Sequence, residues 1–340
     1  MASLSIAVRS APVPVAPAGV WLEAVDLTGF DVPSQSAPDA AYDPSFHDIT
    51  FVWRVKDAPL PPYTAPGNML PEWRDANRAY GKSAVLFFPE PGLYVITLEA
   101  RDRSGTVAET THEITVQGAD SVYAGAATIC VSADRGETWA EAPAGARRVR
   151  TGAELDAALK RSAGPIRLLF RRGQVFQGLS MRINRQLLTH IDAWGTGAPP
   201  VLRPAEGSDN TMFAIWNRAR MDQLTVANLS FQGSWDAATE TGGDTASPIT
   251  WAQSKTPCHY AVWNCLFDGF ERLNFAPRDG LSSQVLVGNS VVTNWRNYGF
   301  LFRSGAARFA LVGTQVAQHV EALHGAVSYT HLTLPTILLV

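Results

Sequence analysis

Hydrophobic and polar positions alternate with a period of two along much of this chain. Between Gly92 and Asp102, Tyr94, Ile96, Leu98 and Ala100 fall on one side while Val95, Thr97, Glu99 and Arg101 fall on the other. A strand with one face in a core carries that pattern. Further short runs rich in β-branched and aromatic residues lie at Val20–Val25, His47–Trp53, Ser83–Phe88 and Thr111–Val116, separated by Pro, Gly and Asp. Such spacing predicts a β-sandwich over residues 18–118. Residues 1–17 read as an N-terminal tail and Pro59–Arg78 as an insertion.

The pattern then changes. Gly118, Gly125, Gly136, Pro143 and Gly145 break up any long element, so 119–148 reads as a linker. Thr151-Gly-Ala-Glu154 has the form of a capping box, in which the Thr hydroxyl accepts from the third helical N–H and the Glu carboxylate reaches back. Leu155, Ala158 and Leu159 follow at helical spacing, which predicts a short amphipathic helix capping a stack. Beyond it, Gly164–Phe176 and His190–Pro204 each read as strand, turn and strand.

One unit then recurs. Val262–Gly269, Val287–Asn294 and Val312–His319 align with Asn264, Asn289 and Thr314 spaced by 25, and Pro277–Gly280 precedes Phe302–Gly305 by the same 25. Asn228 stands 36 before Asn264, and the extra residues are assigned to a loop at Ser234–Lys255. A coil of this size, with three short strands and three turns, is the unit of a parallel β-helix. Asn228, Asn264, Asn289 and Thr314 are expected to stack at one bend, where Asn tolerates a positive φ and bonds to the coils on either side.

Composition limits what such a scaffold does. The 340 residues suffice for two domains, and with 17% charged residues and a formal net charge of −3 there is no electrostatic case for nucleic acid. Cys130, Cys258 and Cys265 are too few and too scattered for a disulfide framework or zinc site, and read as small buried residues. Arg9 and three prolines interrupt the first thirty residues, so no clear signal peptide is read there. No apolar run reaches the roughly 20 residues a membrane span needs.

His47–Trp53, and the run from Pro91-Gly-Leu-Tyr94 to Asp102-Arg-Ser-Gly105, resemble the PKD-like, immunoglobulin-type modules of bacterial extracellular proteins. Arg54–Asp57 replaces that family's acidic-glycine turn. The strand–turn–strand units, "IDAWGTGAPPVL" and the repeated "VxNxxF" over 149–326 resemble the right-handed parallel β-helix (pectate-lyase-like) superfamily. The fold expected is therefore all-β: an N-terminal sandwich followed by a right-handed parallel β-helix, truncated after Ala326. Val327–Val340 resembles translated sequencing-adapter read-through and is expected to be a non-native tail, the other reading being a terminal strand at Leu332–Val340.

That resemblance implies an extracellular or cell-surface protein that recognises, and by lyase-like or hydrolase-like chemistry degrades, an anionic polysaccharide. The alternative is a non-catalytic carbohydrate-binding, adhesin or phage-tailspike-type structural protein. Lyases take the proton α to a uronate carboxylate while Ca²⁺ or Arg neutralises the acid, and hydrolases use paired carboxylates. Glu271, Arg296 and Glu321, each 25 apart, are expected as a column, either a carboxylate pair around an anion clamp or a surface ion-pair ladder. Arg278 and Arg303, also 25 apart, would bind a uronate or sulfate, or else pair with Asp279 or lie in solvent.

Trp235, Trp251, Trp295 and Tyr298 offer stacking platforms for sugar rings, Trp235 and Trp251 from the long loop, whereas Trp263 is expected to pack between coils. His319 and His324 are candidate bases, with a structural role as the other reading. Asp236, Glu240 and Asp244 would be the oxygen ligands of a Ca²⁺ ion, but their spacing matches no calcium motif and no metal site is assigned.

Overall fold

A computed structural model describes residues 2–31, 48–57, 78–162, 164–179, 181–183, 188–204, 213–215, 223–236, 238–242, 248–251, 258–270, 272–274, 283–296, 298–301 and 306–317. The chain divides into two compact units, one built on Met1–Gly118 and the other on Ala119–Phe309.

The first unit consists of β1 (Ser5–Arg9), β2 (Ala18–Val25), β3 (Thr50–Asp57), β4 (Arg78–Tyr80), β5 (Ser83–Phe88), β6 (Gly92–Arg101) and β7 (Val107–Val116). They form two sheets, ordered β1-β2-β5 and β4-β3-β6-β7, antiparallel throughout. The alternation read from β6 holds, with Tyr94, Ile96, Leu98 and Ala100 all fully buried. They join Trp53, Phe51, Leu86 and Phe88 in one core, as a β-sandwich requires. Its two large amphipathic rings are satisfied: Trp53 Nε1 donates to the Gly81 carbonyl at 2.8 Å and the Tyr94 hydroxyl to that of Glu90 at 2.7 Å.

The expected tail holds a strand. β1 pairs with β2 from Ser5↔Val25 to Arg9↔Trp21, because Leu4, Ile6 and Val8 alternate and pack against the core. Of the expected insertion only Arg78 is described, at the start of β4; Pro59–Asn77 lies outside the described residues.

The second unit opens with α1 (Ala119–Val122), β8 (Thr128–Val131), β9 (Arg147–Val149) and α2 (Gly152–Lys160). Successive coils then supply β10 (Ile166–Arg171), β11 (Val175–Leu179) and β12 (Met181–Ile183); β13 (Leu188–Trp194), β14 (Val201–Pro204) and β15 (Phe213–Ile215); β16 (Gln223–Ala227), β17 (Ser230–Gln232) and β18 (Ile249–Trp251); β19 (His259–Trp263), β20 (Leu266–Asp268) and β21 (Arg272–Asn274); β22 (Ser283–Gly288), β23 (Val291–Thr293) and β24 (Tyr298–Leu301); then β25 (Ala306–Val312) and β26 (Gln315–Ala317).

Corresponding strands pair in parallel. One sheet runs β25-β22-β19-β16-β13-β10-β8-β9, a second β11-β14-β17-β20-β23-β26, and shorter ones β12-β15-β18 and β21-β24. This is a parallel β-helix. Its inside is built from columns in register: Leu168, Ile191, Val226 and Val262 on one sheet, Leu202, Phe231 and Phe267 on the next, all within 1% of full burial. The Phe231 and Phe267 rings stack at 4.9 Å. One coil cannot close such a core alone, so its stability comes from its neighbours.

Two parts of the expected linker are strands of the largest sheet. Thr128-Ile-Cys-Val131 is wholly buried in β8, and β9 pairs with it. Four residues are too few to display a period, which is why the sequence reads as loop there. α2 starts as the capping box predicts: Thr151 Oγ1 accepts from the Glu154 N–H at 3.1 Å, and Glu154 accepts from the Thr151 N–H at 3.1 Å. Leu155, Ala158 and Leu159 are its buried face.

The asparagine column forms, and Asp192 anchors it. Asn228, Asn264 and Asn289 adopt φ of 57°, 52° and 45°. Asn289 Nδ2 donates to Asn264 Oδ1 (3.3 Å), Asn264 Nδ2 to Asn228 Oδ1 (2.8 Å), and Asn228 Nδ2 to Asp192 Oδ1 (2.8 Å). Thr314 is not its fourth member. Gly313 takes the left-handed bend with φ 56°, and Thr314 Oγ1 donates to the Val287 carbonyl at 3.1 Å. The spacing shortens to 24 here, with Val291 opposite Gln315. A β-branched residue is a poor fit to positive φ, so the coil shifts by one to place glycine there.

Candidate functional site

A second bend follows the six-stranded sheet, and it assembles the site. Gly233, Gly269 (φ 77°) and Asn294 (φ 57°) occupy it in three successive coils. The backbones approach so closely that a Cβ on Gly233 would lie 2.0 Å from the Gly269 carbonyl oxygen. Only glycine satisfies that contact.

The chain then places Trp235 over its neighbours. Its N–H donates to the Gly269 carbonyl at 3.0 Å, and its own carbonyl accepts from Asn294 Nδ2 at 3.2 Å. Two residues past Asn294, the Arg296 N–H donates to the Phe270 carbonyl at 2.9 Å. The Arg296 guanidinium carbon consequently sits 5.2 Å from the centre of the Trp235 ring, within cation–π range. Two of the residues singled out in the sequence, 61 positions apart, thus meet as one unit. Arg296 thus covers one ring face of Trp235, which is half-buried.

Asp236 starts a small turn closed by the bridge between Asp236 and Thr241. Its carboxylate accepts from the Ala238 N–H at 2.9 Å and the Thr239 hydroxyl at 3.0 Å. Those bonds, the Ala238 N–H first, hold its pKa below the usual carboxylate range. The group proposed as a calcium ligand is therefore committed to its own loop, and Glu240 beside it is exposed at φ 52°. Among the described residues no three His, Cys, Asp or Glu side chains gather as metal ligands.

Trp251 is not in a loop as expected of Ser234–Lys255: it ends β18, a three-residue strand too short to show a period, opposite Ile215, and Tyr298 begins β24, opposite Arg272. Trp263 is buried in β19, as expected of a residue packed between coils. The three cysteines are buried free thiols. Glu271, Glu321, Arg278, Arg303, His319, His324 and Asp244 lie outside the described residues. The uniform period used to align the charged columns does not persist into the third strand: Arg272 faces Tyr298 and Asn274 faces Leu301, spacings of 26 and 27.

A row of polar residues lies beside this bend. Arg203, Gln232, Asp268 and Thr293 each follow a residue of the buried Leu202, Phe231, Phe267 and Val292 column, so they face outward on the six-stranded sheet. Gln232 Oε1 accepts from Arg203 Nη2 at 2.9 Å and Nε at 3.3 Å. Gln232 and Asp268 are half-buried and Thr293 is buried. The signal available was the residue before each bend position, which the asparagine spacing alone does not single out.

A second polar group lies outward on the eight-stranded sheet. His190, fully buried, has Nε2 3.2 Å from Asp192 Oδ2, while Asp192 Oδ1 accepts from Asn228 and from the Ala193 N–H at 2.7 Å. The Tyr123 ring meets the His190 ring edge-on at 5.7 Å. Asp192 thereby ends the amide ladder, a structural use of a His–Asp pair.

No family model, curated protein or solved structure matches this chain. Fold and side-chain chemistry are what bear on function. Among the described residues no helix is long and apolar enough to cross a membrane.

Proposed function

We propose that this protein recognises an anionic polysaccharide outside the cell or at its surface, and cleaves it by lyase-like or hydrolase-like chemistry. The resemblance of residues 149–326 to the pectate-lyase-like superfamily supports this reading. So does the resemblance of the first unit to PKD-like modules, which serve as spacers or weak carbohydrate binders.

The observation that carries the proposal is the Trp235–Arg296 pair. An indole presents a flat apolar face to the C–H side of a sugar ring, and a guanidinium matches a carboxylate or sulfate in two-point geometry. Placing both at a bend where three coils meet puts ring recognition and acid recognition side by side. Equivalent positions recur about every 4.8 Å along such a stack, which suits a ligand that is itself a repeating chain. Arg278 and Arg303 would extend the anion contacts. Glu271, Glu321, His319 and His324 are the candidates for proton transfer, with Ca²⁺ as the candidate cofactor.

The test is a depolymerisation screen on polyuronates and sulfated glycans that follows both the ultraviolet absorbance of unsaturated uronate and the appearance of new reducing ends. A rise in both identifies a lyase, and reducing ends alone a hydrolase. Binding without either product selects the non-catalytic adhesin or tailspike-type reading. Neither binding nor product rejects the proposal.

A further inference from the structure

We propose that Gln232, Asp268 and Thr293, in a row on the outward face of the six-stranded sheet, form a subsite for the hydroxyl groups of a glycan chain lying along the stack. The inference rests on the glycan reading of the Trp235–Arg296 pair and specifies what the neighbouring surface recognises.

The three residues are brought side by side by register alone, Gln232↔Asp268 and Asp268↔Thr293. Asp268 and Thr293 are uncommitted, and Gln232 is committed only through its oxygen. Among the described residues no hydrogen bond or ion pair engages the Asp268 side chain. Thr293 is 8% exposed, and its Oγ1 is buried without a hydrogen-bond partner. A buried hydroxyl left unpaired is costly, and such groups in folded proteins ordinarily have a partner. Gln232 is oriented by Arg203, which fills its oxygen and leaves the NH₂ as donor.

The row therefore offers a donor, a charged acceptor and a group that does both, at about 4.8 Å intervals. A chain of sugar hydroxyls is complementary to that sequence of groups. A carboxylate or sulfate is not, because Asp268 repels it. Acid groups of the polymer belong at Arg296, and hydroxyls belong on the row.

Position supports the same partner. Gln232, Asp268 and Thr293 are each followed directly by the bend residues Gly233, Gly269 and Asn294, two of which hold the Trp235 backbone. The buried Trp235 Nε1 is likewise without a partner. The row and Trp235 thus meet at the same bend.

The experiment compares the full chain with Asp268→Asn and Thr293→Val by titration calorimetry, using an oligogalacturonide and a neutral galacto-oligosaccharide of equal length. Asp268→Asn is expected to weaken both ligands by about tenfold, the loss of a charge-assisted hydrogen bond. Thr293→Val is expected to weaken both by about threefold while leaving the melting temperature equal or higher, since it removes an unpaired buried hydroxyl. Tighter binding of the oligogalacturonide to Asp268→Asn, with the neutral ligand unchanged, would show that Asp268 acts only as a nearby charge and would overturn the subsite. Wild-type affinity in both variants would overturn it too. Failure of the wild-type chain to bind either ligand would reject the glycan reading itself. Thr293→Val conserves shape, so it keeps the test decisive if Asp268→Asn folds poorly.

Discussion

Asn264 sits at the centre of a hydrogen-bonded column and also in a left-handed backbone conformation, and substitution separates the two roles. Glycine keeps the φ of 52° without strain but loses the side-chain bonds to Asn228 and Asn289. Leucine loses both. We expect Asn264→Gly to cost about 1 kcal/mol and Asn264→Leu about 2 to 3 kcal/mol in urea unfolding. Equal losses would mean that the conformation contributes nothing. The buried thiols make a second prediction at this scale. Burial pushes the pKa of Cys130 and Cys265 up to about 12, against about 8.5 in an unfolded chain. The folded state then holds protons that the unfolded state releases, so their contribution is fully present below about pH 8.5 and is lost as pH rises from there towards 12. Urea midpoints should fall between about pH 8 and about pH 10, and more shallowly in Cys265→Ala than in the wild type. The asparagine column was legible in sequence because its chemistry repeats. Asp192 was not, because its role depends on where Asn228 points, and Thr314 was misassigned because a one-residue contraction leaves no mark in a pattern sampled three times.

Bends and caps decide where the elements begin and end. Gly233→Ala would drive a methyl group into the Gly269 carbonyl. Because both partners are backbone, the coils must separate, and we expect a loss of roughly 2 kcal/mol or more with weakened glycan binding through the displaced Trp235. An unchanged denaturation midpoint would contradict the close approach. At α2, Thr151→Ala should cost about 1 kcal/mol, and Thr151→Ser almost nothing, since serine preserves the bond to the Glu154 N–H. The capping box was legible because its residue types and spacing are specific. β1, β8 and β9 are not legible for different reasons: the Leu4, Ile6, Val8 alternation is brief and is followed by Pro12, Pro14 and Pro17, while β8 and β9 are too short for a period. β-pairing between distant segments is settled by packing, which local pattern does not encode.

At the scale of the whole chain, a sandwich with its own core and a parallel β-helix with another occupy one polypeptide. The helix brings Trp235 to Arg296 across 61 positions and aligns Gln232, Asp268 and Thr293 beside them. The stacking of coils was readable from the recurring unit. The pairing of particular side chains was not, since even among the last coils the spacing between paired strands ranges from 24 to 27. The central claim is that this surface holds an acidic glycan, and affinity electrophoresis tests it most directly. The wild-type chain and Trp235→Ala would be run through native gels cast with polygalacturonate, with alginate or without polymer. The account predicts that the wild type is retarded by at least one polyuronate and that Trp235→Ala regains most of its mobility. Mobility of the wild type equal in all three gels, or retardation that Trp235→Ala fully retains, would contradict it.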